Sequence, residues 1–247
     1  MKKLIAVMLA ALMVLSLAAC GGDEPAPTTV PLTESPGTPT TAPATEPTTV
    51  PTTAPTTVPE TTEAEKNVSK VGVVEGNTYT NTFLGITVTM GADWFFANDE
   101  EMAQIRGMTV DAMTDEKLAE QLETNGAIMD MYAMSSDGHS LNVVLENLNV
   151  LQSIALTEKA YAEATVGQLP AALESMGIKN VTAEITEMTF AGENHVAIKL
   201  HGILQDQDFY ETLLILKQGN YIACITVGCY DADTAGSILE QFTAIGA

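Results

Sequence analysis

The sequence predicts an α+β domain in which an antiparallel sheet of about seven to eight strands carries helices on its faces. Four β-prone segments near the carboxyl end are joined by short polar turns, which forces neighbouring strands to run antiparallel. A hairpin pattern opens the domain, and segments with helical periodicity lie between the strand pairs. Together these features indicate a sheet covered by helices, with a four-strand meander at its carboxyl end.

The first 19 residues are a predicted secretory signal peptide. Lys2 and Lys3 precede an apolar run over residues 4–17, which is too short to span a bilayer comfortably. Leu17-Ala18-Ala19-Cys20 then resembles the lipobox of bacterial lipoproteins. That resemblance implies cleavage before Cys20, lipid on its thiol, and a mature protein anchored to the membrane and exposed outside the cytoplasm.

Residues 20–67 combine the lipid-carrying cysteine with a predicted disordered tether. Ten of the eleven prolines lie between Pro25 and Pro59, and those from Pro39 onward recur every four residues among threonines. Few apolar side chains are available to offset the entropy of ordering this segment. Proline favours stiff, extended coil, so the segment suits holding a domain away from a membrane. It also has the composition of an O-glycosylated stalk.

Residues 68–247 are predicted to form one domain, and their charge limits its partners. The whole chain has a formal charge of −22, and loss of Lys2 and Lys3 with the signal peptide would leave −24. Such a charge disfavours nucleic acid and anionic lipid surfaces as partners. A cation, a cationic ligand or a protein partner at the cell surface is electrostatically allowed.

The first half of the domain begins with a predicted hairpin over residues 76–90, which turns at Leu84-Gly85. We expect a short helix over residues 100–106 capped by Asp99, and a second from Asp115 to about residue 123 capped by Thr114. Residues 128–134 and 141–148 are predicted strands joined across residues 136–138.

The second half begins with a predicted helix from Thr157 to about residue 177, with a kink or a break expected near Gly167 and Pro170. Asp233 is expected to cap a closing helix over residues 234–244, whose apolar stripe includes Ile238, Leu239, Phe242 and Ile245. The meander strands are predicted at residues 181–188, 195–203, 209–216 and 221–227.

The opening hairpin carries Tyr79, Asn81, Gly85 and Ile86, and Trp94 follows it. Together with the order of elements, these residues resemble the Mog1/PsbP-like fold, although Gly91-Ala92 replaces a proline often found before the tryptophan. The resemblance covers nearly the whole domain. That fold family includes photosystem accessory proteins and a GTPase-binding protein and shares no catalytic motif, so the resemblance implies no site residues.

Two cysteines remain after Cys20. Cys224 and Cys229 are five residues apart on a predicted buried strand, which places them on opposite faces and unable to pair unless a bulge at Gly228 intervenes. We interpret them as small buried side chains rather than as a redox site.

No histidine is predicted to be catalytic. His195 and His201 fall on one face of one strand, about 20 Å apart by strand geometry, so they cannot share a metal ion. His139 is predicted to be solvated at a hairpin tip. The turns carrying Asp206 and Asp208, and Asp231 and Asp233, lack the pattern of a calcium loop. No cofactor or metal is therefore expected.

Two apolar features have alternative interpretations. Met129 and Met131 are predicted to share one strand face, alternating with Asp130 and Tyr132, either as core or as an adaptable binding surface. Trp94-Phe95-Phe96 is either core or an exposed aromatic patch.

The favoured hypothesis is a non-catalytic binding or accessory module with no catalytic residues. The alternative is an enzyme or small-ligand-binding lipoprotein whose site has no recognisable motif. A deep cleft with convergent polar groups would support the alternative.

Overall fold

The computed structural model describes residues 69–148 and 150–246, without the side chains of residues 150–152. The signal peptide, Cys20 and the tether predicted for residues 20–67 lie outside the described residues. The strands, in chain order, are β1 (Val73–Glu75), β2 (Thr78–Asn81), β3 (Ile86–Thr89), β4 (Trp94–Phe96), β5 (Ala127–Ser135), β6 (Ser140–Asn147), β7 (Lys179–Phe190), β8 (Glu193–Leu204), β9 (Gln207–Gln218), β10 (Tyr221–Cys229) and β11 (Thr243–Ala244).

Six α-helices accompany these strands within the described residues. They are α1 (Asp99–Arg106), α2 (Asp115–Asn125), α3 (Val150–Ala155), α4 (Glu158–Val166), α5 (Leu169–Ser175) and α6 (Thr234–Leu239). A short 3-10 helix, Val110–Ala112, lies between α1 and α2.

The strands form two antiparallel sheets. The large sheet has seven strands in the order β4-β5-β6-β10-β9-β8-β7, and the small sheet has four in the order β1-β2-β3-β11. The predicted α+β class, the opening hairpin and the carboxyl-terminal meander are all confirmed. Each meander strand is longer than predicted because the connecting turns shrink to two residues.

Backbone conformation explains two of these turns. Ala191 and Gly192 join β7 to β8 with φ of 48° and 92°, and Gln205 and Asp206 join β8 to β9 with φ of 53° and 62°. Positive φ at both central residues matches the right-handed twist of the paired strands, so the hairpins close tightly.

The central strands of the large sheet are buried on both faces, whereas the edge strand β7 is largely exposed. Its small-sheet side packs against the small sheet, α2 and α6, with Trp94, Leu118, Leu122, Ile238 and Phe242 in that core. Its helical side packs against α1, α4 and α5, with Met102, Tyr161, Leu169, Leu173 and Phe209 in that core.

A β-bulge in β5 changes one prediction about side-chain direction. The pairing of β5 with β6 shifts register between Met129 and Met131, leaving Asp130 as the extra residue. Met129 therefore belongs to the helical side and Met131 to the small-sheet side, so the prediction that they share a face is wrong. A bulge breaks the strict alternation of strand side chains, and the sequence pattern does not reveal it.

The helix ends show what the sequence predicted well and where it failed. Thr114 caps α2 as predicted, and Thr157 caps α4, the helix that it was predicted to begin. Each threonine side chain accepts a backbone hydrogen bond. The cap of α1 is Asn98 rather than Asp99, because Asn98 forms a reciprocal capping box with Glu101.

The break predicted near Gly167 and Pro170 is confirmed. The segment expected to run from Thr157 to residue 177 divides into α4 and α5 at Gly167-Gln168, with Pro170 in the first turn of α5, where its missing N–H is harmless. The short helix α3 was not predicted.

The closing helix is also shorter than predicted. α6 ends at Leu239 because the following residues turn back and pair with β3 as β11. Its cap is also different: the Asp231 carboxylate accepts from the Thr234 amide at 3.0 Å, whereas the side chain of Asp233 makes no capping bond. Ile245, expected on the apolar stripe, is 44% exposed.

Candidate functional site

His195 helps to join α4 to the strands β8 and β9. Its Nδ1 lies 3.0 Å from Oε1 of Glu158, and the same carboxylate accepts from the backbone amides of Val196 and Lys217. Although burial alone would raise it, the hydrogen bonds from His195 and these amides hold the pKa of Glu158 below its usual range. The pairing of β8 with β9 begins at Val196 and Ile215, so the carboxylate satisfies amides at the end of this ladder.

His201 makes a separate and more exposed contact. Its Nε2 lies 2.7 Å from Oδ1 of Asp208 across the β8–β9 hairpin, and its ring stacks on Tyr210 with centroids 4.7 Å apart. The two strand histidines therefore have different carboxylate partners. In the part of the chain that the structure describes, no group of three or more His, Cys, Asp or Glu side chains could hold a metal ion.

The two cysteines lie on opposite sides of the large sheet, as predicted. Cys224 packs in the helical-side core and Cys229 in the small-sheet-side core, and both are free thiols. The register of β10 with β9 runs without interruption from Tyr221 to Cys229, so the bulge considered at Gly228 is not present. Burial raises the pKa of both thiols.

The aromatic segment 94–96 divides between core and surface. Trp94 is buried on the small-sheet side, whereas Phe95 is 64% exposed. Phe95 pairs in register with Met134, which packs against the helical-side core. One aromatic ring is therefore exposed at the helical side of the edge strand β4.

Asp130, the extra residue of the bulge, anchors the small sheet to the large one. Its carboxylate accepts from the Tyr79 hydroxyl at 2.5 Å, from the Asn81 side-chain amide at 2.7 Å and from the Gly72 backbone amide at 2.7 Å. Burial nevertheless raises its pKa above the usual range. The guanidinium of Arg106 donates to the carbonyls of Met129 and Asp130, at the bulge.

This network assigns a role to the Tyr79-x-Asn81 pattern noted in the sequence. The two residues are two positions apart on β2, so their side chains share a face and reach the same carboxylate. Their role in the described structure is to hold the two sheets together.

A second buried acid lies on the helical side. Oε1 of Glu146 accepts from the hydroxyl of Tyr161 at 2.9 Å, and the thiol of Cys224 lies 3.6 Å from that hydroxyl. Burial raises the pKa of Glu146 to about 7. Burial, with Cys224 and Glu146 nearby, also raises the pKa of Tyr161 far above its usual range. Burial thus keeps the Tyr161 hydroxyl and the Cys224 thiol neutral and moves the pKa of Glu146 close to neutral pH.

Unpaired polar groups form a row across three neighbouring strands of the helical side. Tyr132 on β5 is in register with Asn142 on β6, and Asn142 is in register with Thr226 on β10. All three residues are more than nine-tenths buried. Within the described residues, Tyr132 Oη, Asn142 Oδ1 and Thr226 Oγ1 have no hydrogen-bond partner. We call these three residues the polar row.

The strand pattern shows that the polar row points to the helical side. Val144, two residues from Asn142, and Cys224, two residues from Thr226, both belong to the helical-side core, as Tyr132 does. Side chains two apart share a face of the sheet. Residues in register on adjacent strands lie about 5 Å apart, so the three polar groups are neighbours.

Two more polar groups lie at the end of the polar row. Glu211 on β9 is in register with Gly228, two residues from Thr226, and burial raises its pKa to about 7. His139 is half-buried rather than solvated as predicted, because its ring lies 6.4 Å from that of Tyr230. Its Nδ1 is enclosed and, among the described residues, has no partner.

Buried polar groups without partners are rare in native proteins, and each one needs a physical explanation. Leaving such a group unpaired costs about 1–3 kcal/mol. Four of them at one end of one sheet face therefore need hydrogen-bonding partners that the described residues do not supply. The sequence analysis did not predict this site. A signal for it was present, because Asn142 and Thr226 are polar residues within apolar runs of strands that are buried on both faces.

Comparisons with known proteins add little to this geometry. No protein-family model matches the chain, and no curated protein matches it. Among solved structures, it is similar to the crystal structure of LpqN, involved in cell envelope biogenesis, of Mycobacterium tuberculosis. That match has 10% identity and a TM-score of 0.36, and covers 64% of this chain and 82% of that chain. Likeness at this level carries no information on function.

From residue 69 onward, none of the described helices is both long and apolar enough to cross a bilayer.

Proposed function

We propose that this chain is an exported lipoprotein, anchored through lipid on Cys20, whose domain is a non-catalytic module that binds a small molecule on the helical side of its large sheet. We also propose that residues 68–247 adopt a Mog1/PsbP-like fold. A role in display outside the cytoplasm fits the predicted signal peptide, the lipobox and the Thr/Pro-rich composition of residues 20–67.

The observation that carries the binding proposal is the polar row. Its three oxygen atoms are buried without partners although each can accept a hydrogen bond, and two can also donate. Binding sites for small molecules are mostly apolar and contain a few polar groups that fix orientation. Met129, Val144 and Phe209 of the surrounding core supply such apolar walls.

The protonation states of the nearby groups favour binding over nucleophilic chemistry. A cysteine nucleophile acts as its thiolate, but burial raises the pKa of Cys224 far above neutrality. Tyr161 is held in its neutral form as well. These groups therefore offer neutral hydrogen bonds and apolar contact to a ligand.

A fragment screen by thermal shift tests the binding proposal. The full chain would be screened against a library of small polar fragments, in parallel with Asn142→Leu and with the exposed control Asn194→Leu. We expect fragments that raise the melting temperature of the wild type and of the control but not of Asn142→Leu. Equal shifts in all three proteins, or none in the wild type, would contradict a site at the polar row.

The anchor is tested separately. Cells expressing the chain would be fed a fatty acid carrying an alkyne, and the protein would be recovered and coupled to a dye. We expect label on the wild type and none on Cys20→Ser. Equal labelling of the two proteins would show that Cys20 does not carry the lipid.

A further inference from the structure

Three acceptor groups from three adjacent strands lie on the helical side of the sheet. Asn142 on β6 and Thr226 on β10 are in register, and Glu211 on β9 is in register with Gly228, two residues beyond Thr226. Residues placed diagonally across a strand pair lie about 7–8 Å apart at Cα, within reach of their side chains. Thr226 lies on the strand between the other two, so Asn142 and Glu211 flank it from either side.

The acceptors lack donors inside the protein. Asn142 Oδ1 can only accept, and it is enclosed without a partner, as is Thr226 Oγ1. No described side chain or amide donates to the Glu211 carboxyl group. Asp130 differs, since it receives three hydrogen bonds on the opposite side of the sheet. A ligand that fits the three acceptors must bring hydrogen-bond donors.

Gly228 places an aromatic ring beside these acceptors. A Cβ at this position would lie 3.0 Å from Cζ of Phe209 and 2.8 Å from Oγ of Ser140, so any side chain would displace them. Phe209 is two residues before Glu211 on the same face, and Tyr230 packs edge-on against it with centroids 5.9 Å apart. Aromatic rings next to a carboxylate favour a cation.

We propose, building on the small-molecule function above, that the site binds a primary ammonium group, which donates its three hydrogens to Asn142 Oδ1, Thr226 Oγ1 and the Glu211 carboxylate beside the ring of Phe209. An ammonium group carries three donors and no acceptor, which matches three unpaired acceptors. A bound cation also stabilises the ionised form of Glu211, which burial disfavours. The chain's formal charge of −22 attracts cations to the domain.

Isothermal titration of the full chain in phosphatidylcholine nanodiscs, with empty nanodiscs as the blank, tests this inference. The probes are n-butylammonium, tetramethylammonium, which has the same charge but no donor, and 1-butanol, which is neutral. We expect n-butylammonium to bind with a Kd at or below about 1 mM and at least about tenfold more tightly than either comparison probe.

Variants assign the binding to the three acceptors. Glu211→Gln and Thr226→Val should each weaken n-butylammonium binding at least about tenfold. The exposed control Glu187→Gln on β7 removes the same charge and should leave the Kd unchanged. Circular dichroism of each variant confirms folding, and Thr226→Val keeps the inference testable if Glu211→Gln fails to fold.

The outcomes separate this inference from the function on which it rests. If 1-butanol binds at the polar row as tightly as n-butylammonium, small-molecule binding is retained and the ammonium inference is overturned. If n-butylammonium does not bind but fragments from the thermal screen do, the ammonium inference is again the one that fails. If neither binds, both are overturned.

Discussion

The two sides of the large sheet treat buried polar groups in opposite ways. On the small-sheet side, the Asp130 carboxylate is enclosed and receives three hydrogen bonds from Gly72, Tyr79 and Asn81. On the helical side, the oxygens of Tyr132, Asn142 and Thr226 are equally enclosed and, within the described residues, receive none.

The difference separates polar groups that hold the fold together from those that are available to a ligand. Paired buried groups specify how two layers dock, because each donor and acceptor has one matching position. Unpaired groups weaken the free protein and are expected where a functional site offsets their cost. The Glu146–Tyr161 pair combines features of both groups. Its two side chains are hydrogen-bonded to each other, but burial of the Glu146 carboxyl group still disfavours its ionised form.

The largest expected effect comes from breaking the paired side. Asp130→Ala leaves Tyr79 and Asn81 buried without their acceptor, so the free energy of unfolding should fall by about 3–5 kcal/mol. Urea denaturation, monitored by the fluorescence of Trp94, the only tryptophan of the sequence, measures this free energy. Glu184→Ala, an exposed acid on β7, should change the value by less than about 0.5 kcal/mol. Similar values for the two variants would show that Asp130 does not anchor the sheets.

The pH dependence of the free energy of unfolding tests the role of the buried Glu146–Tyr161 pair. Burial raises the folded-state pKa of Glu146 to about 7 from an ordinary value of 4.5. Because the unfolded chain loses this proton at lower pH, the group's stabilising contribution is complete below pH 4.5 and is lost as the pH rises to about 7. The expected loss is about 3 kcal/mol.

Urea midpoints at pH 5 and pH 8 measure this loss. Glu146→Gln keeps an acceptor for Tyr161 but cannot ionise, so it should remove that part of the pH dependence, whereas the exposed control Glu174→Gln should retain it. A wild-type midpoint that rises between pH 5 and pH 8 would contradict the raised pKa of a buried acid.

The smallest expected effect is on the free energy of unfolding of two Thr→Val variants, which should change in opposite directions. Thr226→Val removes an unpaired hydroxyl from the polar row and should stabilise the free protein by about 1 kcal/mol. Thr157→Val removes the hydroxyl that accepts from the Ala160 amide at the start of α4, and should destabilise it by about 1 kcal/mol. Thermal unfolding measures both. Loss of stability in Thr226→Val would show that its hydroxyl is satisfied in the free protein.

The sequence predicted the parts of the fold that depend on local chemistry. Short polar turns gave the antiparallel meander, and Thr114 gave the start of α2. The alternation of Tyr79 and Asn81 placed both on one strand face. These features depend on residues close together in the chain, so a pattern in the sequence is sufficient to find them.

Features that depend on distant contacts were missed. The bulge at Asp130 forms because a carboxylate on β5 meets donors from the small sheet, more than 45 residues earlier in the chain. α6 ends early because β11 finds a partner in β3. The polar row is assembled by strand register, which places Tyr132, Asn142 and Thr226 side by side. Spacing along the sequence contains none of this information.

The most direct test of the account is a map of where small molecules bind the full chain. Proton–nitrogen correlation spectra would be recorded during titration with the fragments that raise the melting temperature, for the wild type and for Thr226→Val. The account predicts amide shifts centred on Tyr132, Asn142 and Thr226, little change near Tyr79, and loss of the shifts in the variant. Shifts that centre elsewhere, or that persist unchanged in Thr226→Val, would contradict a binding site at the polar row.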